Sequence, residues 1–182
     1  IPAGHKAACH YVDLTRNVAL YDRNIVPTCE GIVQALLNHI DFTLAGTRVL
    51  IAGCGKVGKH LARLLRALDA DVSIYSADPA EQREIASRYQ PATLDDLSGY
   101  PIVVNTIPAR VFDRARLATL GHEAILLDVA SQPGGVDPEL AASAGIRLLH
   151  APGLPGKKAP RSVAAAMLEV IVRHIDDAAT RP

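Results

Sequence analysis

Short apolar runs alternate with stretches of helical periodicity along most of this chain. Runs of consecutive aliphatic residues predict buried strands at residues 49–52, 72–75, 101–105, 124–128 and 146–149, with a weaker strand near Ala92. Apolar residues at helical spacing predict helices at residues 57–68, 113–120, 138–144 and 162–175. This alternation predicts an α/β fold, a doubly wound and mostly parallel sheet with helices on both faces.

The first part of the chain has a weaker pattern. Residues 1–26 show no clean period, and the sequence begins with Ile1. Pro27 and Thr28 are typical of a helix entry, with Thr28 as the N-cap, and apolar residues follow at helical spacing. We therefore predict an N-terminal segment at 1–26 that continues from a lobe outside this sequence, and a single domain at 27–182.

Composition excludes several classes of function. Lys plus Arg and Asp plus Glu each number 19, so the formal net charge is zero, and there is no Trp. A neutral, aromatic-poor chain offers neither the charge nor the stacking surfaces of a nucleic-acid binder. No apolar run is long enough to span a bilayer. Cys9, Cys29 and Cys54 stand at no metal-ligand spacing, so we expect reduced thiols in a cytoplasmic protein without a metal.

Residues 53–58 form a G-x-G-x-x-G turn that follows a predicted strand and opens a predicted helix. In a dinucleotide-binding unit Gly53 permits the tight turn, Gly55 admits the pyrophosphate, and Gly58 lets the helix approach the strand. Free N–H groups at the helix start attract phosphate. The candidate phosphate contacts are Gly53, Gly55, Lys56, Val57 and Gly58. The alternative is a glycine turn that binds nothing.

The end of the second strand decides which nicotinamide dinucleotide is expected. NAD enzymes carry Asp or Glu about 20 residues after the first glycine, whereas this chain has Tyr75 and Ser76 there. Ser76 could donate to a 2′-phosphate, with Arg83 within reach, which favours NADP over NAD. Asp78 could instead bind the ribose, or it could simply cap the next helix, because Asp followed by Pro79 is a good helix start.

Two further loops follow predicted strands and would meet the same crevice. Residues 105–108 (NTIP) end one strand, and residues 128–135 (DVASQPGG) end the next. Their candidate cofactor contacts are Asn105, Thr106, Ile107, Pro108, Ala130 and Ser131. The alternative for both loops is an ordinary strand-to-helix turn.

These loops, together with the APGLPG string at residues 151–156 and residues 27–31, resemble the A subunits of dipicolinate synthase. The resemblance runs from about Val26 to Ile175. It implies a Rossmann-type NAD(P)-binding domain whose N-terminal lobe is mostly absent from this sequence. It also implies oxidation of dihydrodipicolinate to dipicolinate with NADP as hydride acceptor, beside a flavoprotein-like B subunit. Lys157, Lys158 and Arg161 depart from the family pattern.

Charged groups near the last loop are the candidates for substrate binding. A small dicarboxylate substrate needs cationic partners, which Lys157 and Arg161 could supply; as the alternative, they form a solvated rim. Thr28 and Glu30 are further catalytic candidates if their helix begins at the crevice, although a cap and the helix dipole explain both residues equally well.

The sequence leaves several functional alternatives open. Another NAD(P)-dependent dehydrogenase, of the shikimate or methylene-tetrahydrofolate kind, fits the same loops, and so does a nucleotide-binding subunit without chemistry of its own. The sequence also leaves a homo-oligomer open.

Overall fold

The computed structural model describes residues 13–14 and 17–179, and its centre is a six-stranded parallel sheet. The strand order is β3-β2-β1-β4-β5-β6. The strands are β1 Arg48–Ala52, β2 Asp71–Tyr75, β3 Gln90–Pro91, β4 Ile102–Asn105, β5 Ile125–Asp128 and β6 Arg147–His150. This order is that of a Rossmann dinucleotide-binding domain. The predicted fold class is therefore confirmed.

Helices cover both faces of the sheet. They are α1 Val18–Leu37, α2 Lys56–Ala67, α3 Pro79–Arg88, α4 Arg114–Leu117, α5 Pro138–Ser143, α6 Leu154–Lys158 and α7 Pro160–Ala179. Helices α1, α2, α3 and α6 bury side chains in the core on one face, and α4 and α5 bury theirs on the other. Within the described residues no helix is both long and apolar enough to cross a membrane.

The strands are buried because successive side chains point to opposite faces of the sheet. In β1, Val49 and Ile51 belong to one core, while Leu50 and Ala52 belong to the other, and all four are fully buried. A strand covered on both sides needs apolar residues at most of its positions. This requirement explains why uninterrupted apolar runs identified the strands.

Helix α1 begins earlier than predicted. Asn17 is its N-cap, and the Asn17 side chain accepts a hydrogen bond from the backbone N–H of Leu20 at 3.0 Å. The prediction of a helix start at Pro27 with Thr28 as N-cap is wrong, because Pro27 lies buried inside α1. The Thr28 hydroxyl donates to the carbonyl of Asn24 at 2.6 Å, as an interior helical threonine does.

Tertiary packing explains why α1 tolerates a proline. Its buried residues meet the sheet and α2, and Leu20 packs against Ala166 and Val170 of α7. This burial offsets the backbone hydrogen bond that Pro27 cannot make. The predicted boundary after Val26 thus falls within a continuous helix.

The segment after β6 turns almost directly into a short helix. Gly153 adopts a left-handed conformation with φ 68°, and the chain then enters the short helix α6. Pro155 occupies the first turn of this helix, where a missing N–H costs nothing. Leu154 anchors α6 in the core beside α1.

The corrected start of α1 predicts different effects for two cap substitutions. Asn17→Ala removes a real N-cap and lowers the free energy of unfolding by about 0.5–2 kcal/mol. Thr28→Ala changes a helix interior, and its effect stays within about 0.5 kcal/mol. Urea unfolding of both variants checks this. A larger loss of unfolding free energy for Thr28→Ala than for Asn17→Ala would favour the later helix start.

Candidate functional site

A cleft of about 690 Å³ lies at the carboxyl ends of β1, β2, β4, β5 and β6. Ligands of open α/β sheets bind at this edge, and the volume suits a bound cofactor. The lining comes from the loops after these strands and from one side of α1. Of the predicted site residues it includes Thr28, Gly53, Gly55, Lys56, Val57, Gly58, Ser76, Thr106, Ile107, Pro108, Ala130 and Ser131.

The glycine loop has the geometry that its sequence predicted. Gly53 has φ 113°, a conformation that side-chain-bearing residues rarely adopt, and its N–H donates to the carbonyl of Tyr75 at 2.8 Å. A Cβ on Gly58 would collide with the backbone carbonyl of Gly53. These two glycines therefore allow α2 to start directly against the end of β1.

The start of α2 is open toward the cleft. Gly55 is the N-cap, and no side chain caps this helix. A Cβ built on Gly55 would meet nothing within 4 Å, so the backbone borders free space in the cleft lining. Uncapped N–H groups beside such a space match the chemistry of a diphosphate. The residues at this helix start therefore fit a dinucleotide.

A buried carboxylate organises the loops after β4 and β5. Asp128 is 1% exposed and accepts hydrogen bonds from Asn105 Nδ2 at 2.8 Å and from the backbone N–H groups of Gly135 at 2.9 Å and Ala130 at 3.2 Å. Asn105 in turn donates to the carbonyl of Ile107 at 3.0 Å. One acidic group thus fixes both strand-end loops in place.

Side chains of these loops line the cleft beside the glycine turn. The Thr106 hydroxyl donates to the carbonyl of Ala52 at 2.9 Å, which ties the β4 loop to the end of β1. Ile107 and Pro108 follow at the cleft wall, and Ala130 and Ser131 face it from the β5 loop. The sequence predicts all of these loop residues as part of the site, and the link through Ala52 becomes evident only in the structure.

At the end of β2 the polar groups already have partners. The Ser76 hydroxyl donates to Glu81 Oε2 at 2.6 Å and accepts from the N–H of Asp78 at 3.1 Å. Asp78 caps α3 by accepting from the N–H groups of Ala80 at 2.7 Å and Glu81 at 3.0 Å. The helix-cap alternative for Asp78 is thus what the structure shows. Arg83 is exposed on α3 and does not line the cleft.

Comparison with known proteins agrees with this geometry. Residues 9–142 match the family model described as D-isomer specific 2-hydroxyacid dehydrogenase, NAD binding domain. The chain belongs to this NAD-binding dehydrogenase family. The domain is also 33% identical to the A subunit of dipicolinate synthase from Bacillus subtilis over 160 residues, which is 85% of this chain and 53% of that protein.

Two crystal structures are similar to this dehydrogenase-family domain over most of its length. The dipicolinate synthase A subunit of Bacillus subtilis superimposes with a TM-score of 0.84 at 31% identity, covering 91% of this chain and 57% of that one. The corresponding protein from Bacillus halodurans gives 0.85 at 32%, covering 94% and 59%. The resemblance to dipicolinate synthase A subunits is confirmed, and the chain spans somewhat more than half the length of these relatives.

Some predicted residues of the NAD-binding domain lie outside the cleft lining. Asn105 is fully buried beneath it, and Tyr75 contributes its backbone carbonyl to Gly53. Glu30 is exposed on α1, and Lys157 and Arg161 are exposed at α6 and the start of α7. The cleft does not gather these three charged side chains, so their catalytic roles stay predictions.

The sequence pattern indicated Thr28 at the domain's cleft but did not indicate the earlier residues of α1. Tyr21, Asn24 and Ile25 line it together with Thr28. The Oδ1 atom of Asn24 is buried, and no described residue donates a hydrogen bond to it. A buried acceptor without a partner costs about 1–3 kcal/mol, so Asn24 is positioned for a water or a ligand donor. A helix predicted to start before residue 24 would have placed these residues at the cleft, but Pro27 led to a prediction of a later helix start.

The described cysteines of this domain are poor nucleophiles. Burial raises the pKa of the Cys29 thiol to about 12, and its Sγ lies 3.6 Å from the carbonyl of Val57. Burial likewise raises the pKa of Cys54, although Cys54 borders the cleft. Both thiols remain protonated near neutral pH, so neither supplies a ready nucleophile.

Replacing the Asp128 carboxylate tests its organising role. Asp128→Asn presents an amide N–H₂ to groups that are themselves donors, so we expect a loss of about 3 kcal/mol or more in unfolding free energy. Asp137→Asn is the control, because Asp137 is an exposed N-cap for which Asn is equally suitable. Chemical denaturation of both variants checks this, and equal losses would contradict the proposed role.

Proposed function

We propose that this domain binds a nicotinamide dinucleotide on its glycine loop and serves a dehydrogenase that oxidises dihydrodipicolinate to dipicolinate. A partner resembling the flavoprotein-like B subunit of dipicolinate synthase would complete the enzyme. The observation that carries the proposal is the open, uncapped start of α2 against Gly53 and Gly58. The similarity to the A subunit of dipicolinate synthase supports the choice of substrate.

The residues that would hold the dinucleotide fall into two groups. Backbone N–H groups of Gly55, Lys56 and Val57 would meet the diphosphate, because they are at the open start of α2. Thr106 to Pro108 and the Ala130–Ser131 pair would border the nicotinamide half, because they line the opposite wall. When bound, the nicotinamide supplies the hydride acceptor.

The protein's own task is then to hold the substrate carbon in place and to keep water out. Oxidation of the dihydropyridine removes one hydride and one proton, and it leaves an aromatic ring. Because aromatisation favours the reaction, precise positioning can contribute more than a strong base. The rigid loops fixed by Asp128 are suited to such positioning.

The carboxylates of a dicarboxylate substrate require cations. Lys56, the basic residue of the cleft lining, is paired with Asp22 at 2.5 Å. Lys157 and Arg161 form no ion pair with a described residue and stand on the segment that follows the Gly153–Pro155 wall. They remain our candidates for carboxylate binding at the rim, and Thr28 is the candidate polar contact from α1. Glu30 is the fourth residue that we propose as a catalytic candidate.

A nucleotide-binding subunit without chemistry of its own is the second candidate. The observation that favours it is the chemistry of the lining, which contains neither His nor Arg among the described residues. Proton transfer would then fall to the partner. Both candidates require dinucleotide binding, and they differ only in turnover.

Adding one methyl group at Gly55 tests dinucleotide binding without disturbing the fold. Gly55→Ala meets open space and keeps an ordinary φ of −69°, so the free protein should stay folded and lose only the roughly 1 kcal/mol that Ala costs at an N-cap. The new Cβ would nevertheless occupy the diphosphate site and weaken binding at least about tenfold. Calorimetric titration measures this effect, and Gly156→Ala, also in open space but outside the lining, is the control. Unchanged affinity in Gly55→Ala would overturn the proposed binding site.

Turnover separates the two candidate functions. The chain is mixed with dihydrodipicolinate and oxidised nucleotide, with and without the flavoprotein-like subunit, and we expect dipicolinate and reduced nucleotide in equal amounts. Shikimate and methylene-tetrahydrofolate serve as competing substrates. Nucleotide binding without dipicolinate in the presence of the partner would refute the proposed reaction. Dipicolinate that forms only after the partner is added, with no nucleotide reduction by the chain alone, would favour the non-catalytic subunit. Reduction with a competing substrate would reassign the enzyme.

A further inference from the structure

We propose that this cleft binds NAD and discriminates against NADP, and that Glu81 is the residue that sets the preference. The proposal rests on the proposed dinucleotide binding and deepens it. It reverses the preference for NADP that Ser76 and Arg83 suggested in the sequence. Three observations at the end of β2 carry it.

The first observation concerns the hydroxyl of Ser76. In this fold the adenosine ribose lies beyond the second strand, where Ser76 lines the cleft. A serine hydroxyl has a single proton to donate. In the structure that proton goes to Glu81 Oε2 at 2.6 Å, and Ser76 is only 7% exposed. Ser76 therefore has no donor left for a 2′-phosphate.

The second observation concerns charge. Asp78 and Glu81 both line this end of the cleft, so the ribose position faces two carboxylates. The two lysines near the start of α2 are engaged elsewhere, because Lys59 pairs with Glu84 at 2.5 Å and Lys56 pairs with Asp22, and Arg83 is exposed outside the cleft lining. A 2′-phosphate there would therefore meet like charge from the residues that line the cleft, which disfavours its binding.

The third observation distinguishes Glu81 from Asp78. Asp78 Oδ1 already accepts two backbone hydrogen bonds as the cap of α3. Glu81 uses Oε2 for Ser76, while its Oε1 accepts from no described residue. A carboxylate that retains free acceptor capacity suits the two hydroxyls of an unmodified ribose. Glu81 thus does from the first turn of α3 what an acid at the strand end does elsewhere.

Direct titration of the chain with NADH and NADPH tests this inference by binding alone. We expect the parent protein to bind NADH at least about tenfold more tightly than NADPH. Glu81→Gln retains a hydrogen-bonding group for Ser76 but removes the charge. It should narrow this affinity ratio by weakening the binding of NADH and strengthening the binding of NADPH. Glu139→Gln is the matched control, because Glu139 is also a first-turn acid, on α5 and outside the cleft.

Each outcome bears on the proposal. Equal or tighter binding of NADPH by the parent protein would overturn it, and so would an unchanged ratio in Glu81→Gln. These results would leave dinucleotide binding itself intact. Failure to bind either nucleotide would remove both this inference and the proposed function. The parent ratio is measured without any variant, so the test does not depend on the folding of Glu81→Gln.

Discussion

The site depends on one close contact, between the start of α2 and the end of β1. Gly58 packs on the carbonyl of Gly53, at a distance that no side chain at position 58 would allow. The contact places the N-terminus of α2 at the carboxyl edge of the sheet. The loops that follow the other parallel strands begin at the same edge. The open start of α2 and its place in the cleft are then consequences of a single steric condition.

What the sequence could predict follows from the range of the interactions. Apolar runs and the glycine spacing are local, and they identified the sheet and the glycine loop because neighbouring residues determine them. Partners distant in sequence are not visible in such patterns. Asp128 and Asn105 are 23 residues apart, and their hydrogen bond becomes evident only when β4 and β5 lie side by side. Pro27 shows the opposite case. Proline usually marks the start or end of a helix, but here the burial of α1 keeps Pro27 inside the helix.

The end of β2 shows why the proposed preference for NAD does not follow from the sequence pattern. An acid at the strand end is recognisable by position, whereas Glu81 lies five residues after Ser76 on a helix whose direction the sequence does not define. The Asp78 cap and Pro79 start α3 immediately after the strand. This early start brings the first turn of α3, and with it Glu81, back to the cleft.

Helix α1 joins these parts into one site. It precedes the sheet in the chain, yet Tyr21, Asn24 and Thr28 form a wall of the cleft, and Asp22 holds Lys56 at the start of α2. Helix α1 also packs against α6 and α7, and Arg23 pairs with Glu169. Groups that would contact a ligand therefore share a rigid helix with groups that pack the C-terminal segment. A division of the chain at residue 26 would separate Asn24 from Thr28, so the physical unit of the site includes the whole of α1.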